Sequence, residues 1–390
     1  MRKLIAKILA LAIVFALISP SQILAQTVAK SIDIVQDLNI KISGGGTFVF
    51  QGTPKDNVGK SEDGSNTAVY VFDLRLEKIL ENNGKVVVRF KGGNGNGLSK
   101  NVKTYANVNA VTDPTFNGEL ERAKVTDLYY QQLCLDNKLT ISFGKLDFVS
   151  NFTGNRYSKD KNAQFITSIF SGDKILEAPA QRVALNLSYV LSNMFDLSYG
   201  YYSTKTEHID LDGINALQIT YKLSKKGNYK LYIWGNNTLH YSCNDLSKKS
   251  GTYGFGISAD YEVSKLIGVF GRFSWKDPSV TTYDTKKSKY MTTPTLSWDL
   301  GLQLQGCAWS RGSDTIGFGV GQMYDLHNYS NINVTYKNGA ETEVEFYYRI
   351  GVNKYLGITS AVQYFINPSG GNVDLQNNVF VAGIRTRFDF

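Results

Sequence analysis

Hydrophobic and polar residues alternate one by one along most of this chain, in segments of about 9 to 14 residues from Leu38 onward. Val183, Leu185, Leu187 and Tyr189, for example, alternate with small or polar residues. Segments of this length match a tilted strand that crosses the hydrocarbon layer of a membrane. The pattern therefore predicts β-strands with one apolar and one polar face, although a soluble β-sandwich has the same period.

Sixteen such segments are present, an even number as a bacterial single-chain barrel requires. We predict that they form an all-β fold, a transmembrane antiparallel β-barrel of about 16 strands. The predicted strands are 38–52, 67–80, 84–93, 123–135, 138–146, 183–192, 194–204, 216–224, 228–237, 251–263, 266–277, 294–306, 315–325, 341–352, 355–367 and 378–390.

The connections between these segments distinguish a barrel from a sandwich, because they alternate between short and long. Short turns rich in Asn, Asp, Gly and Lys follow most of the even-numbered predicted strands. The connections after the odd strands are longer, from about 11 to about 36 residues, and a barrel with both ends in the periplasm places them outside. The turn at 307–314 is longer than the other turns that follow even-numbered strands. Either its flanking strands extend further, or the strand count is wrong there.

The beginning of the chain predicts export. Residues 1–25 combine a basic start, an apolar run and a small residue, Ala25, at a cleavage position, as secretory signal peptides do. The apolar run is about 11 residues long, shorter than the ~20 residues of a spanning helix. We expect a signal peptide at 1–25, a short periplasmic segment at 26–37 and one outer-membrane barrel at 38–390, because no linker composition divides the last part.

The end of the chain carries the same indication. The final predicted strand places Phe380, Ile384, Phe388 and Phe390 on one face and polar residues on the other. A chain that ends on an aromatic residue after such a strand is typical of outer-membrane barrels. We expect this strand to be the contact with the outer-membrane insertion machinery.

Composition agrees with an exported barrel and argues against several other classes. The chain has 24 Tyr, 21 Phe and 36 Gly but only 7 Pro, as expected of a barrel that is apolar outside and wet inside. The net charge of +8 falls to +5 without Arg2, Lys3 and Lys7 of the signal peptide, and the scattered excess does not indicate nucleic-acid binding. Three cysteines, an odd number, argue against a disulfide framework.

The sequence carries little sign of enzymatic chemistry or of a cofactor. His208, His240 and His327 all fall in predicted outer loops without a repeated spacing, so we expect no metal site. His240 with Ser242 could belong to a barrel phospholipase, but their predicted loop position argues against it. The glycine-rich stretch at 92–97 precedes no helix that could present a phosphate site. We therefore expect a protein that is not an enzyme and has no cofactor.

Two blocks resemble the OprB family of carbohydrate-selective porins. One contains Gly144, Lys145, Leu146, Asp147 and Phe148, followed by Phe152, Gln164 and Phe165. The other contains Glu345, Tyr347, Tyr348 and Arg349, then Ile358, Thr359, Gln363, Tyr364, Asn367 and Pro368, and leads into the final strand. Together the blocks cover less than a third of the chain.

The resemblance implies a passive outer-membrane channel for small hydrophilic solutes such as sugars, assembled as a monomer or a homotrimer. The barrel predicted from the alternation indicates a similar function, because sixteen strands enclose an aqueous channel. Two alternatives remain open: a general or anion-biased ion porin, and a non-transporting surface barrel that acts as an adhesin or structural protein. The expected partners are outer-membrane lipid and small solutes, with no nucleic acid.

The polar face of the predicted strands supplies candidates for lining the pore. Arginine guanidinium groups and carboxylates can form the hydrogen bonds that water otherwise forms with a sugar. An aromatic face such as that of Trp234 can stack on a pyranose ring. A wet lumen needs polar residues in any case, which explains most of them. The candidates are Arg75, Glu77, Arg89, Lys91, Asp127, Trp234, Arg272, Asp299, Glu345, Arg349 and Arg385.

The longest connection, 147–182, is the third outer loop. Its many aromatic rings would be exposed to water if the loop stayed outside, so we expect it to fold into the lumen and narrow the pore. The candidates for this constriction are Asp147, Phe148, Phe152, Arg156, Tyr157, Phe165 and Arg182.

Overall fold

A computed structural model describes residues 39–54, 65–94, 97–111, 123–147, 152–177, 182–204, 212–284, 289–290, 293–327, 339–371 and 378–390. The predicted signal peptide and the predicted periplasmic segment lie outside the described residues.

The strands follow the alternation of the sequence. In chain order they are β1 (Ile40–Thr53), β2 (Ser65–Ile79), β3 (Gly84–Gly93), β4 (Lys124–Cys134), β5 (Leu139–Leu146), β6 (Arg182–Val190), β7 (Phe195–Ser203), β8 (Gly213–Leu223), β9 (Gly227–Ser242), β10 (Lys249–Ser264), β11 (Ile267–Lys276), β12 (Val280–Thr281), β13 (Tyr283–Asp284), β14 (Lys289–Tyr290), β15 (Leu296–Gln305), β16 (Thr315–Tyr324), β17 (Ala340–Gly351), β18 (Leu356–Ile366) and β19 (Val379–Asp389).

Sixteen long strands form the wall, and the two-residue strands β12, β13 and β14 belong to the connection between β11 and β15. Each long strand pairs antiparallel with its neighbour in the chain, and β1 also pairs with β19 from Gly45↔Asp389 to Gly52↔Ala382. The last pairing closes the barrel, so no strand edge of the wall is left open. The predicted antiparallel barrel of sixteen strands is confirmed.

The short turns follow the backbone preferences of their residues. Asn83, Asp136 and Asn137 adopt positive φ values of 60°, 53° and 66° in the turns after β2 and β4. Asn and Asp tolerate this left-handed conformation better than most residues.

The doubtful turn between β15 and β16 does not alter the strand count. β15 ends at Gln305 and β16 begins at Thr315, and a 3₁₀ helix, Gly306–Trp309, occupies the start of the connection. The Gly306 N–H donates to the Asp314 carbonyl at 2.8 Å, and the Arg311 N–H donates to the Gly306 carbonyl at 2.9 Å. The extra residues therefore form a compact closed turn, while both flanking strands keep ordinary lengths.

The β9–β10 hairpin is longer than predicted. The sequence predicts an end to β9 at residue 237, but the strand continues to Ser242. The register shifts between Ser250 and Thr252, whose partners are His240 and Asn236, so a bulge interrupts the alternation where the prediction stopped. His240 therefore lies in a strand and not in a loop, which corrects the sequence-based placement.

The two faces of the wall differ as the alternation predicts. Phe380, Ile384 and Phe388 of β19 are exposed on the outside, whereas Val381 and Arg385 are fully buried on the inside. The apolar outer face suits contact with lipid, and the inner face carries most of the charged residues of the strands. Within the described ranges, no helix is long and apolar enough to span a bilayer.

Candidate functional site

The described part of the long connection between β5 and β6, residues 152–177, is called the lumen loop below. It contacts inward-facing residues of β8, β9, β11, β17 and β19, so it lies inside the barrel. Its rings pack against each other and against inner-wall rings: the Phe165 centroid lies 4.5 Å from that of Phe170 in the same loop, and 5.5 and 5.0 Å from those of Phe270 and Tyr347 on the wall. The aromatic side chains of the loop are thus removed from water.

Glycines on the inner face of the wall make this close approach possible. A Cβ atom on Gly319 of β16 would lie 2.8 Å from the Phe170 ring and 2.9 Å from the Phe165 ring. A Cβ atom on Gly321 would lie 2.7 Å from Cδ1 of Ile169. Real carbon contacts are about 3.5–4.0 Å, so only glycine leaves room for the loop at these positions.

A buried ion pair holds the middle of the lumen loop. The Arg272 guanidinium of β11 donates to both carboxylate oxygens of Asp299 on β15, at 2.9 and 3.0 Å. The same guanidinium donates to the Ser158 carbonyl at 2.7 Å and to the Ser158 Oγ at 2.6 Å. Because the charge of Arg272 is paired with Asp299, its remaining donors can bind the loop without leaving a charge unpaired.

A second pair of charged residues holds the next part of the loop. Glu345 of β17 accepts the backbone N–H groups of Ile166 at 2.6 Å and Thr167 at 2.7 Å. Arg385 of β19 donates to the carbonyls of Gln164 at 2.5 Å and Lys161 at 3.0 Å. Charge-assisted hydrogen bonds of this kind are about twice as strong as neutral ones.

These contacts change the interpretation of five predicted pore-lining residues. Arg272, Asp299, Glu345 and Arg385 lie on the inner face, but they are only 4%, 2%, 0% and 0% exposed because the lumen loop covers them. Trp234 is 3% exposed and packs in a cluster with Phe152 of the loop. In the structure these five side chains contact the lumen loop or a residue that binds it, and they line neither of the two cavities described below.

A second segment, residues 97–111 after β3, also enters the lumen and is called the second lumen loop. Glu341 of β17 accepts the N–H of Tyr105 at 2.8 Å and that of Ala106 at 3.3 Å. The two loops also pair, because the Ala110 N–H donates to the Ile166 carbonyl at 2.7 Å. The sequence interpretation missed this loop, although it contains apolar residues that water would otherwise contact. Those buried residues are Leu98, Val102, Ala106, Val108 and Val111.

Glu177 attaches the end of the lumen loop to β9 and β11. Its carboxylate lies 2.9 Å from the Asn236 amide nitrogen, 3.1 Å from the His240 Nε2 and 2.9 Å from the Lys276 ammonium. Burial is the largest single influence and would raise the pKa of Glu177, but the hydrogen bonds and charges of His240 and Lys276 together lower that pKa to about 2. The carboxylate is therefore ionised at neutral pH and holds its three partners together.

Two cavities, of about 410 and 440 Å³, lie between the described loop residues and the wall from β2 to β10. Both are lined by Ser188 and Ser198, so they adjoin. Neutral hydroxyl and amide side chains form much of the first cavity. These are Gln131, Thr140, Ser142, Asn186, Ser188 and Ser198.

Several predicted residues line the first cavity. Arg75, Arg89 and Asp127 of β2, β3 and β4 contribute to its wall, with Asp147 of the β5–β6 connection. Arg75 is paired with Glu77 at 2.5 Å. Arg89 lies opposite Asp127 in the β3–β4 register and forms an ion pair with Asp73 at 3.4 Å.

The remaining predicted residues are more scattered. Arg156 lines the second cavity, whereas Tyr157 and Phe165 are buried in the packing of the lumen loop. Lys91 is 7% exposed, and Arg349 and Arg182 are half-buried on β17 and β6. Phe148 lies outside the described residues.

The described residues contain no group of three or more His, Cys, Asp or Glu side chains arranged to hold a metal ion. The buried His327 has its Nδ1 2.6 Å from Asp325 and its Nε2 2.8 Å from the Val280 carbonyl, so it connects two outer connections of the barrel. Cys134, Cys243 and Cys307 are all free thiols.

Comparisons with known proteins agree on a porin. The model of the OprB family, described as carbohydrate-selective porins, matches residues 185–390. No curated protein matches the sequence.

Solved structures with a similar fold are outer-membrane channels. Pseudomonas putida OprB at high pH superimposes with a TM-score of 0.76 at 16% identity, over 93% of this chain and 96% of that chain. Its low-pH structure has a TM-score of 0.56 at 16% identity, over 93% and 95%. The outer-membrane channel DcaP of Acinetobacter baumannii has a TM-score of 0.56 at 11% identity, over 90% and 97%. At these identities the likeness is one of fold.

Proposed function

The chain belongs to the OprB family of carbohydrate-selective porins, and on that premise we propose that small sugars cross its lumen between the lumen loop and the wall from β2 to β10. As a member, it is an outer-membrane β-barrel porin, a transport channel surrounded by outer-membrane lipid that passes small hydrophilic solutes. The proposal concerns the path and the residues that contact the sugar.

The adjoining cavities carry this proposal. Their volumes of about 410 and 440 Å³ lie in the range of ~300–1,000 Å³ typical of small-molecule sites. The hydroxyl and amide groups of Ser142, Asn186 and Ser198 can both donate and accept hydrogen bonds, as sugar hydroxyl groups do. Such contacts replace hydration one by one, and they remain weak enough for the sugar to leave.

The charged residues of the first cavity would orient the sugar. Arg75 and Arg89 each present several donors on a rigid guanidinium, and Asp127 supplies acceptors next to them. Both arginines have carboxylate partners, so their charge is partly balanced before a neutral sugar arrives. We infer that these three are the solute contacts among the predicted candidates.

The path can be tested by filling it. Ser198→Trp places an indole where the two cavities meet, whereas Leu197→Trp places the same group on the lipid face of the same strand, where Leu197 is 36% exposed. In planar bilayers we expect Ser198→Trp to lower single-channel conductance and the block by monosaccharides or maltodextrins, and Leu197→Trp to leave both as in the wild type. Equal behaviour of the two variants would place the path elsewhere.

A general, anion-biased porin is a second candidate, and the second cavity favours it. Four cations, Arg156, Lys159, Lys222 and Lys230, line this cavity with two carboxylates, Asp196 and Asp260. Anion-over-cation permeability without any block by sugars would support this candidate. A barrel that conducts almost no current would instead support the adhesin or structural alternative.

Two further partners belong to this proposal. Phe390 is 52% exposed and pairs with Gly44 of β1 through two backbone hydrogen bonds of 3.2 and 3.0 Å, which supports its recognition by the insertion machinery as the barrel closes. Assembly as a monomer or a homotrimer rests on the family resemblance, and native mass spectrometry of the detergent-solubilised protein distinguishes the two states.

A further inference from the structure

The charges around the second cavity are unevenly paired. Lys222 forms an ion pair with Asp196 at 2.8 Å. Arg156 forms ion pairs with Glu262 at 3.4 Å and with Asp260 at 3.8 Å. The carboxylates of the cavity are therefore already neutralised by these two cations.

The other two cations of the cavity, Lys159 and Lys230, have no carboxylate of the described residues within ion-pair distance, although Asp260 lines the same cavity. The Lys230 ammonium donates to the Gly154 carbonyl at 2.7 Å, and an ammonium has three donors, so two remain. Gly154 belongs to the lumen loop, which therefore fixes the position of this ammonium at the edge of the cavity.

The two lysines line the same cavity, whose two carboxylates are engaged elsewhere: Asp196 pairs with Lys222, and Asp260 pairs with Arg156. Placing two like charges against one cavity is unfavourable, and an anion bound between them would relieve the repulsion. The neutral lining next to this cavity, Ser188 and Ser198, offers hydrogen bonds to the rest of such a ligand.

We propose that the second cavity is a subsite for sugars that carry a carboxylate, with Lys159 and Lys230 as the residues that give a sugar acid preference over the neutral sugar of the same ring. The inference rests on the proposed path and adds the substrate class that the path favours. The sugar hydroxyls bind the neutral lining, and the carboxylate lies between the two ammonium groups.

The preference is expected to be modest. In contact with water, one ion pair at about 4 Å changes affinity by roughly five-fold. A preference of this size allows the solute to leave again, as transport requires. It also weakens with salt, because ions screen charges that water can reach.

The test compares galacturonate with galactose, which differ at one carbon, as blockers of single-channel current at pH 7 and low salt. We expect the half-blocking concentration of galacturonate to be about five-fold below that of galactose. Lys230→Gln and Lys159→Gln should each lower this ratio to roughly two-fold, because each variant leaves one of the two ammonium groups in place. Lys226→Gln is the matched control. Lys226 is exposed in the β8–β9 turn and does not line the cavity, so its substitution removes the same charge from outside the proposed subsite.

Each outcome decides the inference. A wild-type ratio of one or below overturns it, as does an equal loss of preference in the Lys226→Gln and Lys230→Gln channels, because the preference would then reflect overall charge. Lys159 is exposed on the loop, so its variant answers the question even if Lys230→Gln fails to assemble. Block by galactose without a galacturonate preference leaves the proposed path intact, whereas absence of block by either sugar removes both proposals.

Discussion

Replacing Gly319 with alanine places a methyl group where two rings of the lumen loop already lie. The added carbon would sit 2.8 Å from the Phe170 ring and 2.9 Å from the Phe165 ring. These rings cannot move away easily, because Phe270 and Tyr347 pack against them from the inner wall. The clash is therefore relieved when the lumen loop moves away from the inner wall at β16.

The size of the effect follows from the overlap. Extra methyl groups in a well-packed core cost about 1–3 kcal/mol. If that penalty destabilises the lumen loop in its packed position, the equilibrium constant between the displaced and the packed loop rises by roughly 5- to 150-fold. We expect Gly319→Ala to spend a measurable fraction of time at a larger single-channel conductance, which the wild-type channel rarely visits.

Two further variants make the assignment specific. Gly235→Ala adds the same methyl group at a strand position with no atom within 4 Å, so it should behave as the wild type. Phe170→Ala in the Gly319→Ala background removes one of the two clashing rings, so the double variant should be less perturbed than the two single effects predict. Identical conductance traces for Gly319→Ala and Gly235→Ala would refute the claim that the wall glycines make room for the packed lumen loop.

Three further outcomes are expected. Glu177→Gln should make channel opening less sensitive to acid, because a pKa lowered to about 2 gives an anchoring contribution that is complete above about pH 4.5 and is lost as the pH falls toward 2; an unchanged acid response, measured from pH 7 to pH 3, contradicts this. Phe390→Asp should reduce the heat-modifiable, folded fraction on gels while proteins that do insert remain stable, and unchanged assembly would refute a targeting role. Deleting 155–171 should raise conductance and abolish sugar block; conductance at the wild-type level would place the constriction elsewhere.

The strands and their faces could be predicted from the sequence because they depend on neighbouring residues. Alternation with a period of two requires no knowledge of distant contacts, so Phe380 and Ile384 could be assigned to the outside and Arg385 to the inside. Strand ends were less accurate where the alternation is interrupted, as at the bulge near Asn236 and His240.

The role of each inward residue depended on the tertiary structure. Glu345 and Ile166 are 179 positions apart, and Arg385 and Gln164 are 221 positions apart, yet they form hydrogen bonds. A polar residue on the inner face can line a cavity or bind a loop. The alternating pattern of the residues around it does not distinguish these two positions.

Composition and periodicity therefore determined the barrel, its closure by the last strand and the polarity of its two faces. Only the folded chain decided which part of the wall the described loop residues cover, because that depends on where the wall glycines admit the loop and where Arg272 and Glu345 bind it. The two cavities accordingly lie along β2 to β10, where Arg75 and Arg89 line the first of them, whereas the lumen loop covers Arg272, Glu345 and Arg385.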